Sequence, residues 1–188
     1  MKTVKATIQG ISPLLINRFK EESEIPAKTR KAGKKDYRTP RQQAEKTAYC
    51  DEENGKALWI PSAWVKGAIQ TVASDYKLPS SRKSAKSVTG GAIIPIEEKL
   101  YFLEKYKLAD VEIDSRPCVV QRARIMRHRA RLEKWSVEIH LEIDEEILPP
   151  EEVHQMLSDA GRRAGLGDYR PQKGGPFGRY QITNWQVQ

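Results

Sequence analysis

Apolar and polar residues alternate in three stretches of the chain, which predicts strands that are buried on one face. The first strand buries Val4, Ala6 and Ile8, the second spans residues 135–143, and the third spans residues 180–185. Two other stretches carry apolar residues at helical spacing, which predicts one buried stripe on each helix. The stripes are Trp64, Ala68, Ile69 and Val72 in a helix that opens at Pro61 with Ser62 as its cap, and Val153, Met156, Leu157 and Ala160 in a helix that begins after Pro149.

Shorter extended stretches lie between these elements, at residues 12–16, 92–96, 100–103, 111–114 and 117–120. Gly90 and Gly91 predict a turn. The order of strand, helix, hairpin region, strand, helix and strand predicts an α+β fold with a ferredoxin-like or RRM-like antiparallel sheet and two helices. We expect one domain over residues 1–188. Its excursions are a long basic loop at about 17–57, with a short helix near 41–47, and an inserted basic hairpin at about 104–132.

The charge composition of the chain indicates which class of partner to expect. The 188 residues carry a formal net charge of +8, and the pI is near 9.4, so nucleic acid or another anionic surface is the expected partner. Cys50 and Cys118 have no metal-ligand spacing and are predicted to be reduced thiols. Because no stretch is typical of a signal peptide or a membrane span, we expect a cytoplasmic protein that does not enter membranes.

Residues 161–180 form the most unusual stretch, with six of the chain's 12 glycines, four arginines and a lysine. Glycine lets a backbone adopt positive φ and approach a ligand closely, while arginine and tyrosine supply phosphate contacts and stacking faces. Because the stretch follows a predicted helix, it is not a dinucleotide-binding fingerprint, which follows a strand. Asp168 lies inside it, and we expect this residue to cap a turn or pair with an arginine.

A second basic stretch contains Arg122, Arg124, Arg127, Arg129 and Arg131, with no acidic residue before Glu133. On a strand, Arg122 and Arg124 share one face and the other three share the opposite face. Each could neutralise a phosphate and add affinity through counterion release. The alternative is a solvated hairpin, but exposed surfaces usually intersperse acidic residues with basic ones. The early basic loop is weaker support, because acidic residues dilute it.

Histidines and carboxylates, which often act in catalysis or metal binding, form no clear motif in this sequence. His128, His140 and His154 lie in no recognisable catalytic motif, and His128 is the candidate general base if the chain cleaves RNA. The acidic residues Asp110, Asp114, Asp144, Glu145 and Glu146 are predicted to lie in turns or on solvated faces. We expect no metal and no cofactor. Trp64 and Trp135 are predicted core residues, and Trp59 and Trp185 are predicted core rims or stacking platforms.

Three segments together resemble the CRISPR-associated RAMP superfamily. Residues 59–69, WIPSAWVKGAI, resemble the I-P-G-S-S-x-K-G-x-x-R opening of its first helix, and residues 165–179 resemble its glycine-rich loop before the last strand. Residues 8–14, IQGISPL, look like its first strand. The resemblance is to backbone subunits that polymerise along a guide RNA, in which an RRM-like palm carries a hairpin thumb. Here the basic stretch at 110–131 would be that thumb.

This resemblance implies that Ser62 and Lys66 contact RNA phosphates near the helix start, which agrees with anion binding at helix N-termini. Two departures are Ala63, where the family has glycine or serine, and Gln70, which stands near the usual basic position. The catalytic aspartate of some members has no clear counterpart. The residues that we expect to contact nucleic acid are Ser62, Lys66, Arg122, Arg124, Arg127, Arg129, Arg131, Arg170, Lys173, Gly174, Gly175 and Arg179.

Three functions stay open on the sequence. The first is a non-catalytic protein that binds single-stranded RNA or DNA through its backbone, as a homo-oligomer or as a subunit of a ribonucleoprotein. It could be a CRISPR subunit or a free-standing relative from a phage or mobile element. The second is a metal-independent endoribonuclease that processes repeats with His128 as its base. The third is an assembly protein whose basic arm meets an acidic partner chain.

Overall fold

The structure is a computed structural model, and it describes residues 1–18, 38–79, 81–120 and 123–188. Its strands in these ranges are β1 (Lys2–Gly10), β2 (Leu14–Ile16), β3 (Cys50–Asp51), β4 (Ala57–Pro61), β5 (Ile93–Pro95), β6 (Lys99–Tyr101), β7 (Glu112–Val120), β8 (Ala123–Leu132), β9 (Ser136–Ile143) and β10 (Tyr180–Val187). Its α-helices there are α1 (Pro40–Thr47), α2 (Ser62–Val72), α3 (Thr89–Ala92) and α4 (Pro150–Arg163).

The central sheet has the strand order β10-β1-β9-β5, and every neighbouring pair is antiparallel. Its two middle strands bury every second residue, such as Val4 and Ile8 of β1 and Ile139 and Leu141 of β9. These side chains join those of α2 and α4 in one hydrophobic cluster, so the helices cover one face of the sheet. The α+β class and the antiparallel sheet are confirmed, and the arrangement is compatible with an RRM-like fold.

Both long helices form for the reasons that the sequence predicts. α4 has Glu151 and Glu152 in its first turn and Arg162 and Arg163 in its last, and these charges complement the helix dipole. α2 buries Val65, Ala68, Ile69 and Val72 along one stripe. The predicted cap is wrong: Pro61 is the N-cap, and Ser62 is already the first helical residue, with no side-chain cap.

The basic hairpin is formed by β7 and β8, residues 112–132, which pair in register from Glu112 opposite Arg131 to Val120 opposite Ala123. It extends a second sheet of order β2-β8-β7. α1 supports its base, because Arg41 donates hydrogen bonds to the carbonyl oxygens of Leu108 and Val111 at 3.3 and 3.2 Å. The hairpin therefore has a fixed attachment to the rest of the protein.

Other predicted stretches have mixed outcomes. The short helix near 41–47 is confirmed as α1, which begins with a capping box between Thr39 and Gln42. The turn at Gly90 and Gly91 is wrong, since both residues lie in α3. Residues 19–37 of the early basic loop, and Arg122, lie outside the described residues. Among the helices described, none is long and apolar enough to cross a membrane.

Candidate nucleic-acid interface

The glycine-rich loop, residues 164–179, connects α4 to β10 and lies against the start of the chain. The backbone N–H of Asp168 donates to the carbonyl of Leu15 at 2.9 Å, and that of Gly178 donates to the carbonyl of Pro13 at 2.8 Å. Gly167 and Gly178 have φ values of +74° and +69°, a conformation that favours glycine. The loop is therefore a folded element with a defined path.

The two adjacent glycines that were predicted to contact nucleic acid differ in their surroundings. Gly174 is exposed and ends a 3-10 turn with φ of +76°. Gly175 is buried, and a Cβ there would overlap the carbonyl oxygen of Tyr169. Packing within the loop therefore accounts for the glycine at position 175.

Asp168 joins the loop to the basic hairpin. Its Oδ2 accepts hydrogen bonds from Nε of Arg129 at 2.6 Å and from Nδ2 of Asn17 at 3.1 Å, and its Oδ1 accepts from the N–H of Tyr169 at 2.9 Å. Burial opposes ionisation of the carboxyl, but the Arg129 guanidinium and these hydrogen bonds outweigh it and hold the pKa of Asp168 below its usual value. The expected pairing of Asp168 with an arginine is confirmed.

A second contact joins the same two elements. The guanidinium of Arg116 in β7 lies 4.5 Å from the ring centre of Phe177 in the loop, a cation–π geometry. Arg116 pairs across the hairpin with Arg127, and Arg129 lies two residues further along β8. Because alternate strand residues share a face, Arg127 lies on the hairpin face that contacts the glycine-rich loop.

Two of the arginines that were predicted to contact nucleic acid already have acidic partners within the protein. Arg129 is 5% exposed and paired with Asp168, so its guanidinium is not open to a phosphate. Arg131 pairs with Glu133 at 2.7 Å. Asp114 is buried and pairs with Arg116 at 2.7 Å, which contradicts its predicted place on a solvated face. The acidic partners that the stretch itself lacks are supplied by Asp168 of the glycine-rich loop and by Glu133, which follows β8.

Other cations stay available. Within the part of the chain that the structure describes, the side chains of Arg124, Arg127, Lys173 and Arg179 have no hydrogen-bond or ion-pair partner. Arg170 is more constrained, since it donates to the carbonyl of Gly167 and to Oε1 of Gln172, both at 2.9 Å. The open positive charge is therefore divided between the hairpin and the loop.

The start of α2 offers less than the resemblance implied. Ser62 is 6% exposed, and its backbone N–H already donates to the carbonyl of Glu98 at 3.0 Å. Ser62 is therefore poorly placed for its predicted phosphate contact. Lys66 reaches across to α3, where Nζ donates to the carbonyl of Gly90 at 2.6 Å. An ammonium group has two further protons to donate, so Lys66 can still meet a phosphate.

A cleft of about 260 Å³ separates α2 from the glycine-rich loop. Trp64, Gly67 and Thr71 form its helical side, and Arg170 and Gln172 lie on its loop side. Trp64 is only partly buried, so its predicted place in the core is only half right. The glycine within the helical pattern at position 67 was the one sequence signal for this cleft.

The histidines do not converge on one centre. Nδ1 of His128 lies 2.7 Å from Oγ of Ser115 on the opposite strand of the hairpin, and His140 contacts Glu97 on the open face of the sheet. His154 lies edge-on to Trp185. The described residues contain no group of three or more His, Cys, Asp or Glu side chains that could hold a metal ion.

The uncovered face of the central sheet is polar. Its middle strands present Lys5 and Thr7 of β1 and Glu138, His140 and Glu142 of β9, with Lys5 and Glu138 paired at 2.9 Å. RRM domains stack bases on aromatic side chains of this face, and neither middle strand has Phe, Tyr or Trp there. The hairpin and the glycine-rich loop are therefore the better candidates for a nucleic-acid interface.

The fold and this interface define an α+β protein with a basic hairpin beside a glycine-rich loop. No protein-family model matches the chain, and no curated protein is similar to it in sequence. Among solved structures, it is similar to a chain of the Type III-B Cmr-beta bound to cognate target RNA, determined by cryo-EM, with a TM-score of 0.59 and 11% identity. The match covers 99% of this chain and 60% of that chain. Such a likeness shows a shared fold.

Proposed function

We propose that this chain binds single-stranded nucleic acid, RNA above all, through the phosphate backbone. The observation that carries the proposal is the joining of two basic elements, the hairpin and the glycine-rich loop, by the contact of Asp168 with Arg129 and of Arg116 with Phe177. Each contact fixes the distance between the open cations on one element and those on the other. The phosphates of a nucleic-acid strand are regularly spaced, so cations that contact them must also be held at fixed distances.

The placement of charge supports backbone contact. The cations Arg124, Arg127, Lys173 and Arg179 are available to phosphates, and each contact would release a counterion. Tyr169 supplies a stacking face in the same loop, since it is 40% exposed and has φ of +49°. A bulky residue rarely adopts that conformation, and such residues cluster at functional sites.

The fold supports a particular version of this function. We infer that the central sheet with α2 and α4 is a ferredoxin-like palm, that the basic hairpin is its thumb, and that residues 1–188 work as one domain. The similar Cmr-beta chain comes from a structure bound to target RNA, which favours RNA over DNA. As a RAMP-like subunit, the chain would assemble side by side with further copies along the strand and extend the interface.

The most direct test is whether nucleic acid copurifies with the protein. We expect RNA to copurify and to be removed by ribonuclease but not by deoxyribonuclease. The RNA-free protein should then bind labelled single-stranded RNA in preference to double-stranded RNA at low salt. If the protein binds no single-stranded RNA or DNA at low salt, the proposal is wrong. Binding to an acidic protein instead would favour the assembly function.

One observation supports a second candidate function. His128 is hydrogen-bonded to Ser115 on the basic hairpin, on the strand face that it shares with Arg124 and opposite to the face that contacts the glycine-rich loop. An imidazole therefore lies beside a cation that could meet a phosphate. In an endoribonuclease, it would act as a general base without a metal. Structured RNA is incubated with wild type and with His128→Ala; cleavage by wild type alone would support this function, and intact RNA in both samples would remove it.

A further inference from the structure

The cleft between α2 and the glycine-rich loop is kept open by a glycine that the fold does not require. Gly67 lies in the middle of α2, where glycine weakens a helix relative to alanine. A Cβ built at this position would meet no atom within 4 Å, so no neighbouring backbone or side chain explains the glycine. Its effect is to leave the helical wall of the cleft flat.

The opposite wall also contains glycines, for a different reason. Gly165 and Gly167 line it with φ values of +68° and +74°, and a Cβ at either residue would collide with Pro171 or Leu15. Close packing behind the loop therefore explains these two glycines, whereas Gly67 has no such contact.

One wall is aromatic. Trp64 lines the cleft, and the ring of Tyr49 holds it edge-on, at 5.5 Å between ring centres and an interplanar angle of 87°. This contact restrains the indole ring. A planar ligand in the cleft could stack on the indole, as bases do on aromatic side chains.

The far end of the cleft is polar and ordered. Nε2 of Gln172 donates to Oγ1 of Thr71 at 3.2 Å, and Arg170 donates to Oε1 of Gln172 at 3.1 Å from Nε and at 2.9 Å from Nη2. Amide, hydroxyl and guanidinium groups are the partners of a base edge. None of the residues that line the cleft is acidic, so a phosphate beside it would meet no like charge.

We propose that this cleft holds one unstacked nucleobase of the bound strand, an inference that rests on the proposed function and adds a base site to it. The base stacks on Trp64 and directs its polar edge to Gln172 and Thr71. Lys173, which is exposed and follows Gln172 directly, meets the adjoining phosphate. Backbone contacts elsewhere on the hairpin and loop are unaffected by whether the base is present.

The test fills the cleft without removing a charge or a contact. In Gly67→Leu, a side chain occupies the cleft, and leucine favours the helix over glycine, so the thermal midpoint should not fall below that of wild type. The control is Gly91→Leu in α3, where a Cβ also meets no atom within 4 Å. Each variant is titrated with a short fluorescent single-stranded RNA and with the same strand built from abasic nucleotides.

We expect Gly67→Leu to bind the normal strand about tenfold more weakly than wild type, since one stacked base is lost, and to bind the abasic strand as wild type does. Gly91→Leu should match wild type on both strands. Equal binding of Gly67→Leu and wild type to the normal strand overturns the base site, and so does an equal loss on both strands. Failure of wild type to bind the abasic strand at low salt counts against the proposed function instead, because that strand reports backbone contacts alone.

Discussion

Asp168 is the residue on which the interface depends most. Its carboxylate accepts hydrogen bonds from three residues and pairs with an arginine that is almost wholly buried. Removing one partner of such a pair leaves the other charge buried without compensation. The same contact holds the hairpin and the glycine-rich loop in one arrangement. Asp168 therefore affects both the stability of the protein and the geometry of the proposed interface.

Asp168→Asn should lower the free energy of unfolding by about 2 kcal/mol at neutral pH, because a charged hydrogen bond to Arg129 is lost. The pKa of Asp168 is lowered in the folded protein, so its stabilising contribution is complete above the unfolded pKa of about 3.9. It is lost as the pH falls through the folded pKa. Urea unfolding at neutral pH and below pH 3 measures both values.

The exposed Asp110 provides the control, and Asp110→Asn should unfold as wild type does at both pH values. The same loss for Asp168→Asn at both pH values would contradict ionisation as the cause. No loss at neutral pH would contradict the importance of the ion pair.

Replacing tyrosine by phenylalanine should change the free energy of unfolding in opposite directions at two positions. The hydroxyl of Tyr180 is buried without a hydrogen-bond partner among the described residues, and burial raises the pKa of Tyr180. Tyr180→Phe should therefore raise the free energy of unfolding by about 1 kcal/mol. The hydroxyl of Tyr76 donates to Oδ2 of Asp159 at 2.7 Å, so Tyr76→Phe should lower it by about 1 kcal/mol. Thermal unfolding of both variants decides, and a loss in Tyr180→Phe would indicate a partner for that hydroxyl.

At the scale of elements, the glycine-rich loop shows two uses of glycine. Gly174 and Gly178 have similar positive φ values of +76° and +69°. A Cβ at Gly174 would meet no atom within 4 Å, whereas one at Gly178 would overlap the carbonyl oxygen of Leu166. Comparing the two positions therefore separates the cost of conformation from the cost of close packing.

Gly174→Ala should cost about 1 kcal/mol of unfolding free energy, the cost of a left-handed conformation. Gly178→Ala should cost about 2 kcal/mol more, because the loop must shift to admit the methyl group. Urea unfolding measures this difference. Equal losses in the two variants would show that close packing at Gly178 is unimportant.

The elements also show how far the sequence can be interpreted. Alternation predicted β1, β9 and β10, because strands covered on one face bury every second residue. Spacing of apolar residues predicted α2 and α4 for the equivalent reason. The predicted turn at Gly90 and Gly91 was wrong. A helix of one turn is too short to show a periodic pattern that would outweigh the turn signal of two glycines. Local pattern thus determines long elements and leaves short ones undecided.

The candidate site was less predictable, because its partners are remote in sequence. Arg129 and Asp168 are 39 positions apart, and only the fold shows that they neutralise each other. The cleft brings Gly67 together with Gln172, which no local pattern connects. The basic stretch was a sound signal for the location of charge, but the number of open charges required the structure.

At the scale of the whole molecule, positive charge is not spread evenly. The open face of the central sheet carries Glu138 and Glu142, while open cations lie on the hairpin and on the glycine-rich loop. A net charge of +8 alone would attract nucleic acid to any surface. We therefore expect binding to depend on where the charge lies.

The salt dependence of binding to single-stranded RNA tests this claim most directly. If Arg124, Arg127, Lys173 and Arg179 each meet a phosphate, the logarithm of the association constant should fall with the logarithm of salt concentration at a slope of about −3. Arg124→Gln with Arg127→Gln should reduce the magnitude of that slope by about 1.4. Lys83→Gln with Lys86→Gln, which removes equal charge from an exposed loop between α2 and α3, should leave it unchanged. Equal slopes for the two double variants, or a wild-type slope near zero, would contradict the account.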